Sequence, residues 1–217
     1  PSRIAVVLSA EHCNEDNFAM ALIASRYLGV KEAYLGAKPA GEGDDILMNA
    51  DKNPNRAGAN QAAAQLGLGE PKPLASLLDA LRSDRYDYVL SLGSHVDVED
   101  VAELKTELAR TKGHVAICCS EGSLSHASHV ALPACSWAEV RGSYVNAKGL
   151  AQQAEAVLEP LGEAYPGWQL AVALARTLGY DIDWKSRADL DQAMLQSDAP
   201  NSPDAASTSD VSPEAEA

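Results

Sequence analysis

Short apolar runs that alternate with amphipathic segments constrain the fold of this chain more than any other feature. The run Arg3–Ser9 is short, continuous and rich in β-branched residues, a pattern typical of a strand buried on both faces. Segments between such runs repeat apolar residues at helical spacing, as Val98–Thr111 does. Strands that alternate with helices indicate a parallel sheet covered by helices.

This pattern predicts five strands and five helices. The strands are Arg3–Ser9, Lys31–Gly36, Tyr86–Leu92, His114–Cys119 and His129–Leu132. The helices are Asn14–Gly29, Arg56–Leu66, Leu74–Ser83, Val98–Thr111 and Gly167–Leu178. We expect the last strand to be buried and to stop at Pro133, which lacks a backbone donor. The fold class is therefore α/β, a three-layer Rossmann-like and mostly parallel sheet with helices on both faces.

Composition divides the chain into three parts. Residues 1–150 form the predicted Rossmann-like α/β domain, and residues 151–196 a C-terminal helical extension. From Ser197 to Ala217, Ser, Pro, Ala, Asp and Glu dominate and no Lys or Arg occurs, so we predict a disordered acidic tail. The start at Pro1 without methionine leads us to expect a processed or trimmed chain, or the C-terminal portion of a longer one.

The charge and the cysteines limit the partners. A formal net charge of −14 argues against nucleic acid and anionic membranes, which both attract a basic face. No apolar run approaches the length of a membrane span. The four cysteines, Cys13, Cys118, Cys119 and Cys135, have no paired spacing, which favours a reduced cytoplasmic protein. Their spacing also offers no iron–sulfur ligand set.

Three loops should converge at the carboxyl ends of the strands: Ser9–Asn17, Gly93–Glu99 and Ser120–Ser128. A phosphate there would need glycines and free amides at a helix N-terminus. The first loop has no glycine, and it carries the carboxylates Glu11, Glu15 and Asp16. The second loop has one glycine followed by acids. This pattern argues against a dinucleotide and favours acids that cap helices, with a cation site as the alternative.

Histidines and thiols near these loops offer two further alternatives. His126 and His129 could join a zinc site, but no zinc-ligand spacing occurs in the sequence. Cys118 or Cys119 could face the crevice as a nucleophile, which would need a base or a positive charge nearby. Because no such charge is evident in the sequence, we interpret these cysteines as small apolar residues.

Four segments resemble the molybdopterin oxidoreductase superfamily. The most specific is Leu132–Gly149, which reads LPACSWAEVRGSYVNAKG. Asn14–Phe18 (NEDNF), Asp51–Arg56 (DKNPNR) and Tyr165–Ala175 (YPGWQLAVALA) resemble other segments of the same proteins. Within the superfamily the sequence is most similar to the C-terminal domain of the G subunit of NADH:quinone oxidoreductase, respiratory complex I.

Departures from the family motif suggest that the ancestral cofactor is gone. The family's aspartate before the motif is His129 here, its lysine after Glu139 is Val140, and its closing EGR reads Lys148-Gly149-Leu150. The resemblance makes four residues candidates for a vestigial pterin crevice, and it implies no catalytic and no metal-binding residue. The candidates are Asn14, Glu139, Gly142 and Asn146.

The resemblance implies a cofactor-free structural domain of the G subunit, without catalysis of its own. We expect other subunits or domains of the complex as partners, no nucleic acid and no membrane insertion. The location would be cytoplasmic, peripheral to the inner membrane, with iron–sulfur clusters only in a region upstream. One alternative is a fragment of a catalytic molybdopterin-dependent oxidoreductase that binds the pterin dinucleotide. A second is a free-standing Rossmann-like module for a small ligand.

Overall fold

A six-stranded parallel sheet lies at the centre of the computed structural model, which describes residues 3–44 and 46–198. Its strands are β1 (Ile4–Ser9), β2 (Tyr34–Gly36), β3 (Lys72–Pro73), β4 (Tyr88–Leu92), β5 (Gly113–Cys118) and β6 (Val130–Pro133). Their order in space is β3-β2-β1-β4-β5-β6. The chain therefore changes direction across the sheet between β1 and β4, where doubly wound folds open a crevice at the carboxyl ends of the strands.

Helices cover both faces of this sheet. They are α1 (Asn14–Leu22), α2 (Arg56–Gln65), α3 (Leu74–Arg82), α4 (Val101–Arg110), α5 (Ser123–His126), α6 (Gly167–Thr177) and α7 (Arg187–Asp198). Side chains of α1, α2 and α6 form one buried apolar cluster, and those of α3 and α4 belong to a second. The predicted three-layer α/β architecture is confirmed.

Strand β1 shows why an uninterrupted apolar run suits the middle of this sheet. Successive side chains of a strand point to opposite faces. Val6 and Leu8 belong to one apolar cluster, whereas Ala5 and Val7 belong to the other. Because both faces are covered, the sequence of β1 has no polar alternation.

The prediction that the last strand is buried was wrong. Among the described strands, β6 is the outermost and pairs with β5 alone, so Val130 is 49% exposed. Pro133 belongs to the strand instead of stopping it, in register with Cys118. An edge strand tolerates proline because its missing donor leaves no neighbouring strand unpaired.

The first predicted helix, Asn14–Gly29, has two segments. α1 ends at Leu22, and the chain continues as a π-helical turn over Ile23–Tyr27. Gly29 follows with a φ of 67°, a conformation that ends a helix and favours glycine. Asn14 is not the N-cap that its position suggests, because Cys13 takes that place without a side-chain cap bond.

The sequence pattern did not reveal several elements. β3, α5 and α7 are among them, together with an antiparallel hairpin of β7 (Gly142–Val145) and β8 (Ala151–Ala154). The expected domain boundary at residue 150 falls inside the connection of this hairpin. Of the predicted tail, Ser197 and Asp198 end α7, and residues 199–217 lie outside the described residues. Among the described helices, none has the length and apolar character required to cross a membrane.

Candidate functional site

A cavity of about 440 Å³ lies at the carboxyl ends of β1, β4 and β5. Glu11 and His12 reach it from the loop after β1, Ser94 from the loop after β4, and Cys119 and Ser120 from the loop after β5. The predicted convergence of the three loops is therefore confirmed. The volume lies within the range of small-molecule sites in proteins.

His12 is the most unusual group of this cavity. Its side chain is 5% exposed, and its Nδ1 lies 2.9 Å from Oδ2 of Asp16. Burial lowers the pKa of His12, but Asp16 and the Cys119 thiol raise it more, to about 10. The raised pKa favours the imidazolium form of the ring. Its Nε2 makes no hydrogen bond of good geometry with the described residues.

Asp16 connects this histidine to α6. Its second oxygen, Oδ1, accepts a hydrogen bond from the backbone amide of Trp168 at 2.8 Å. Asp16 and Trp168 are both buried, so the bond also fixes the N-terminus of α6 against α1. The sequence interpretation treated Asp16 only as an acid at a helix start and did not connect it to His12. The two residues are four positions apart, which was the available signal.

The four cysteines are free and differ in accessibility. Cys13, Cys118 and Cys135 are buried, whereas Cys119 is exposed. Burial raises the pKa of each buried thiol, and for Cys13 the nearby Asp16 and Glu15 carboxylates raise it further. The interpretation of Cys118 as a small apolar residue is consistent with this. For Cys119 that interpretation was wrong, because the residue is exposed and lines the cavity together with the buried His12.

Glu11 forms a second charged wall of the cavity. Its carboxylate lies 2.5 Å from Nζ of Lys38, and its other oxygen hydrogen-bonds to His95. The carboxylate therefore has two partners that come from different loops. This arrangement also gives His95 a partner, a role that the sequence did not indicate.

Glu15, the next acid of the first loop, binds the hairpin and α7. Its carboxylate accepts hydrogen bonds from the backbone amide and the hydroxyl of Ser143, each at 2.8 Å. Arg187 donates to the same carboxylate at 2.5 Å. Helix capping by acids holds for Asp100, which accepts a bond from the amide of Glu103 at the start of α4, but Glu15 serves tertiary contacts.

The four residues proposed as crevice candidates lie beside the cavity, and none is part of its lining. Asn14 donates to Ser143 at 3.0 Å, and Gly142 starts β7 where it packs on Cys13. Glu139 accepts bonds from two backbone amides of nearby loops. Asn146 stabilises the turn between β7 and β8 through its side-chain oxygen. Cys13 and Val140, each adjacent in sequence to a candidate, line the cavity instead, together with Tyr144, which lies between Gly142 and Asn146 in β7.

The cation site and the zinc site that the sequence left open have no ligand set in the described part of the chain. No group of three or more His, Cys, Asp or Glu side chains there is arranged to hold a metal ion. His126 is exposed and faces Glu121, whereas His129 accepts a hydrogen bond from the amide of His114. The two rings therefore serve different neighbours.

Sheet order and crevice together define a doubly wound α/β protein whose cavity is walled by acids, a buried histidine and an accessible thiol. The model of the molybdopterin oxidoreductase family matches residues 12–177. This match covers well over half of the sequence, and the chain belongs to that family. No curated protein matches it. The superfamily assignment made from the motifs is confirmed, whereas the assignment to the G subunit of respiratory complex I stays a prediction.

Proposed function

We propose that this protein is the C-terminal, cofactor-free structural domain of the G subunit of an NADH:quinone oxidoreductase. In this role the domain packs against other subunits or domains of the complex and performs no chemistry of electron transfer itself. The observation that carries the proposal is the N-terminus of α1. In an α/β sheet of this topology a helix N-terminus holds phosphate, and here the hairpin of β7 and β8 covers that position.

The groups around α1 do not fit the phosphates of a pterin dinucleotide. The loop before the helix has no glycine and carries Glu11, and the first turn of the helix carries Glu15 and Asp16. Ser143 of the hairpin is bonded to Asn14 and Glu15, both on the first turn of the helix. A phosphate at this place would have to displace the hairpin and face buried carboxylates, which disfavour an anion.

An exposed apolar surface supports a packing role. Trp137, Val157, Leu158 and Leu161 each expose more than 60% of their surface. The amides of Val157 and Leu158 bond to the carbonyl of Ala138, next to Trp137, so these side chains belong to one region. Exposed apolar groups that cluster in this way are typical of a surface that contacts another protein.

Composition analysis of the intact gene product tests this function. We expect molybdenum and phosphorus at background level and no pterin fluorescence. The protein should also comigrate with NADH dehydrogenase activity on a native gel. One molybdenum per polypeptide would contradict the cofactor-free domain, and migration apart from that activity would contradict the assignment to the G subunit. Reading the gene upstream of Pro1 adds an independent check, in which we expect iron–sulfur cysteine clusters.

The cavity itself favours one second candidate, a fragment of a catalytic molybdopterin-dependent oxidoreductase. It lies at the crevice position of the fold, and Tyr144 and Val140 of the family motif line it. A cofactor that entered there would have to contact His12 and the Cys119 thiol. The same molybdenum and pterin measurement separates the two candidates.

A further inference from the structure

Cys119, His12 and Asp16 form a series of thiol, imidazole and carboxylate at the cavity. We propose that this series is a thiol-modification site that takes low-molecular-weight disulfides. The inference rests on these three residues and holds whether or not the domain belongs to respiratory complex I. It assigns a role to the one exposed cysteine of the protein.

The carboxylate end of the series fixes the histidine. Asp16 accepts through Oδ2 at 2.9 Å from Nδ1 of His12, so Nδ1 carries a proton and Nε2 is the nitrogen that remains for another group. Asp16 is itself held by the amide of Trp168. Because both side chains are buried, the imidazole has little freedom to turn, and its Nε2 keeps one direction.

The unpartnered Nε2 is the second observation. This atom is buried and makes no hydrogen bond of good geometry with the described residues, and a buried polar atom is normally paired. His12 and Cys119 line the same cavity from two different loops, and the thiol contributes to the raised pKa of the ring. A thiolate at Cys119, or a sulfur-bound group in its place, would satisfy this nitrogen.

Accessibility and charge select Cys119 from the four cysteines. The thiolate is the reactive form, and a neighbouring imidazolium stabilises it. Cys13, Cys118 and Cys135 are buried, and the pKa of each is raised, so they stay protonated near neutral pH. Cys119 combines exposure with the cation.

The reaction is thiol–disulfide exchange. The Cys119 thiolate attacks one sulfur of a small disulfide, a new sulfur–sulfur bond forms, and the old one breaks. The departing thiolate takes the proton from Nε2 of His12, leaving a neutral imidazole that still donates from Nδ1 to Asp16. One disulfide is consumed and one mixed disulfide and one free thiol are produced, so the electrons balance without a further oxidant.

The test uses oxidised glutathione as the probe on the intact, native protein. Mixed disulfide at each cysteine is followed by peptide mass spectrometry at neutral pH. We expect Cys119 to react first, and its rate to fall roughly ten-fold in His12→Gln, since the variant lacks the imidazolium that would donate a proton to the departing thiolate. His126→Gln is the matched control, because that histidine is exposed and lies beside Glu121, and its rate should not change.

Two outcomes would overturn the proposal: an unchanged Cys119 rate in His12→Gln, or adducts mainly on another cysteine. If His12→Gln does not fold, the wild-type protein alone decides. Its Cys119 should then react about ten times faster in the native state than in urea, where the histidine no longer lies beside it. An equal or slower native rate would show that the fold does not activate this thiol.

Discussion

Arg187 and Glu15 form an ion pair across 172 positions of the chain, with Nη2 of the arginine 2.5 Å from Oε1 of the glutamate. Glu15 is 2% exposed and also holds Ser143 of the hairpin. Arg187 additionally donates to the carbonyl of Arg141 at 2.7 Å. The pair therefore joins α1, the start of β7 and α7, three segments that are far apart in sequence.

Removing the arginine should destabilise the domain strongly. In Arg187→Met the Glu15 carboxylate stays buried without its cation, which we expect to lower the free energy of unfolding by about 3 kcal/mol. Urea unfolding followed by circular dichroism measures the change. The matched control is Lys185→Met, whose ion pair with Asp183 is largely exposed and should therefore contribute little to stability. Equal effects of the two substitutions would contradict a structural role for the buried pair.

Gly142 explains why the family motif needs a glycine at that position. A Cβ there would lie 2.6 Å from Cβ of Cys13, the residue that directly precedes α1. Gly142→Ala should therefore push the hairpin from α1 and lower the free energy of unfolding by roughly 1–3 kcal/mol. Gly113→Ala is the control, since its Cβ would meet only the half-exposed ring of Tyr88, at 3.2 Å. A smaller loss in Gly142→Ala than in the control would show that the hairpin adapts.

Regular patterns made much of the fold predictable from sequence. The central strands were predicted because burial on both faces leaves continuous apolar runs, as in β1. The hairpin was not predicted, because its strands read GSYV and AQQA and contain no continuous apolar run. Its position depends on hydrogen bonds from backbone amides of β7 to Glu15 and Asn55, which are far away in the sequence. β6 was placed correctly but judged buried, since an apolar run does not distinguish an edge strand from a central one.

The candidate site was less predictable because its pairings are tertiary. The loops were expected to converge, yet the family motif directed attention to Glu139, Gly142 and Asn146, which support the backbone beside the cavity. His12 carried no motif of its own. Its importance depends on burial, on the bond to Asp16 and on a thiol more than a hundred positions away, and none of these is visible in a local pattern.

His114 should make the stability of the domain depend on pH below neutrality. It is fully buried in β5, with Nε2 2.8 Å from the Ser91 hydroxyl. Burial, assisted by His129, lowers the pKa of His114 to about 4. The pKa of His114 is near 6.5 in the unfolded chain, so the stability that neutral His114 permits is fully present above that pH. As the pH falls toward 4, the free energy of unfolding should decrease by up to roughly 3 kcal/mol.

Urea midpoints of the wild-type protein and His114→Gln between pH 7.5 and 4.5 measure this effect. The wild-type protein should lose stability across the interval, and the variant should show a flatter profile. The raised pKa of His12 affects stability in a different pH range. The stabilisation that protonated His12 provides is complete below about pH 6.5 and is lost as the pH rises toward 10. Parallel profiles of the two proteins would mean that His114 is not the titrating group.

Truncation at two positions should separate α7 from the acidic segment that follows it. Deleting residues 199–217 should leave the melting temperature unchanged, because Val211 is the only large apolar side chain that this segment offers beside alanines and prolines. Deleting residues 187–217 should lower it clearly, since Leu190 is fully buried in the main apolar cluster and Arg187 pairs with Glu15. Differential scanning calorimetry of both truncated proteins measures the contrast. A lower melting temperature after the shorter deletion would show that the acidic segment packs on the domain. An unchanged melting temperature after the longer deletion would show that α7 contributes little to the stability of the domain.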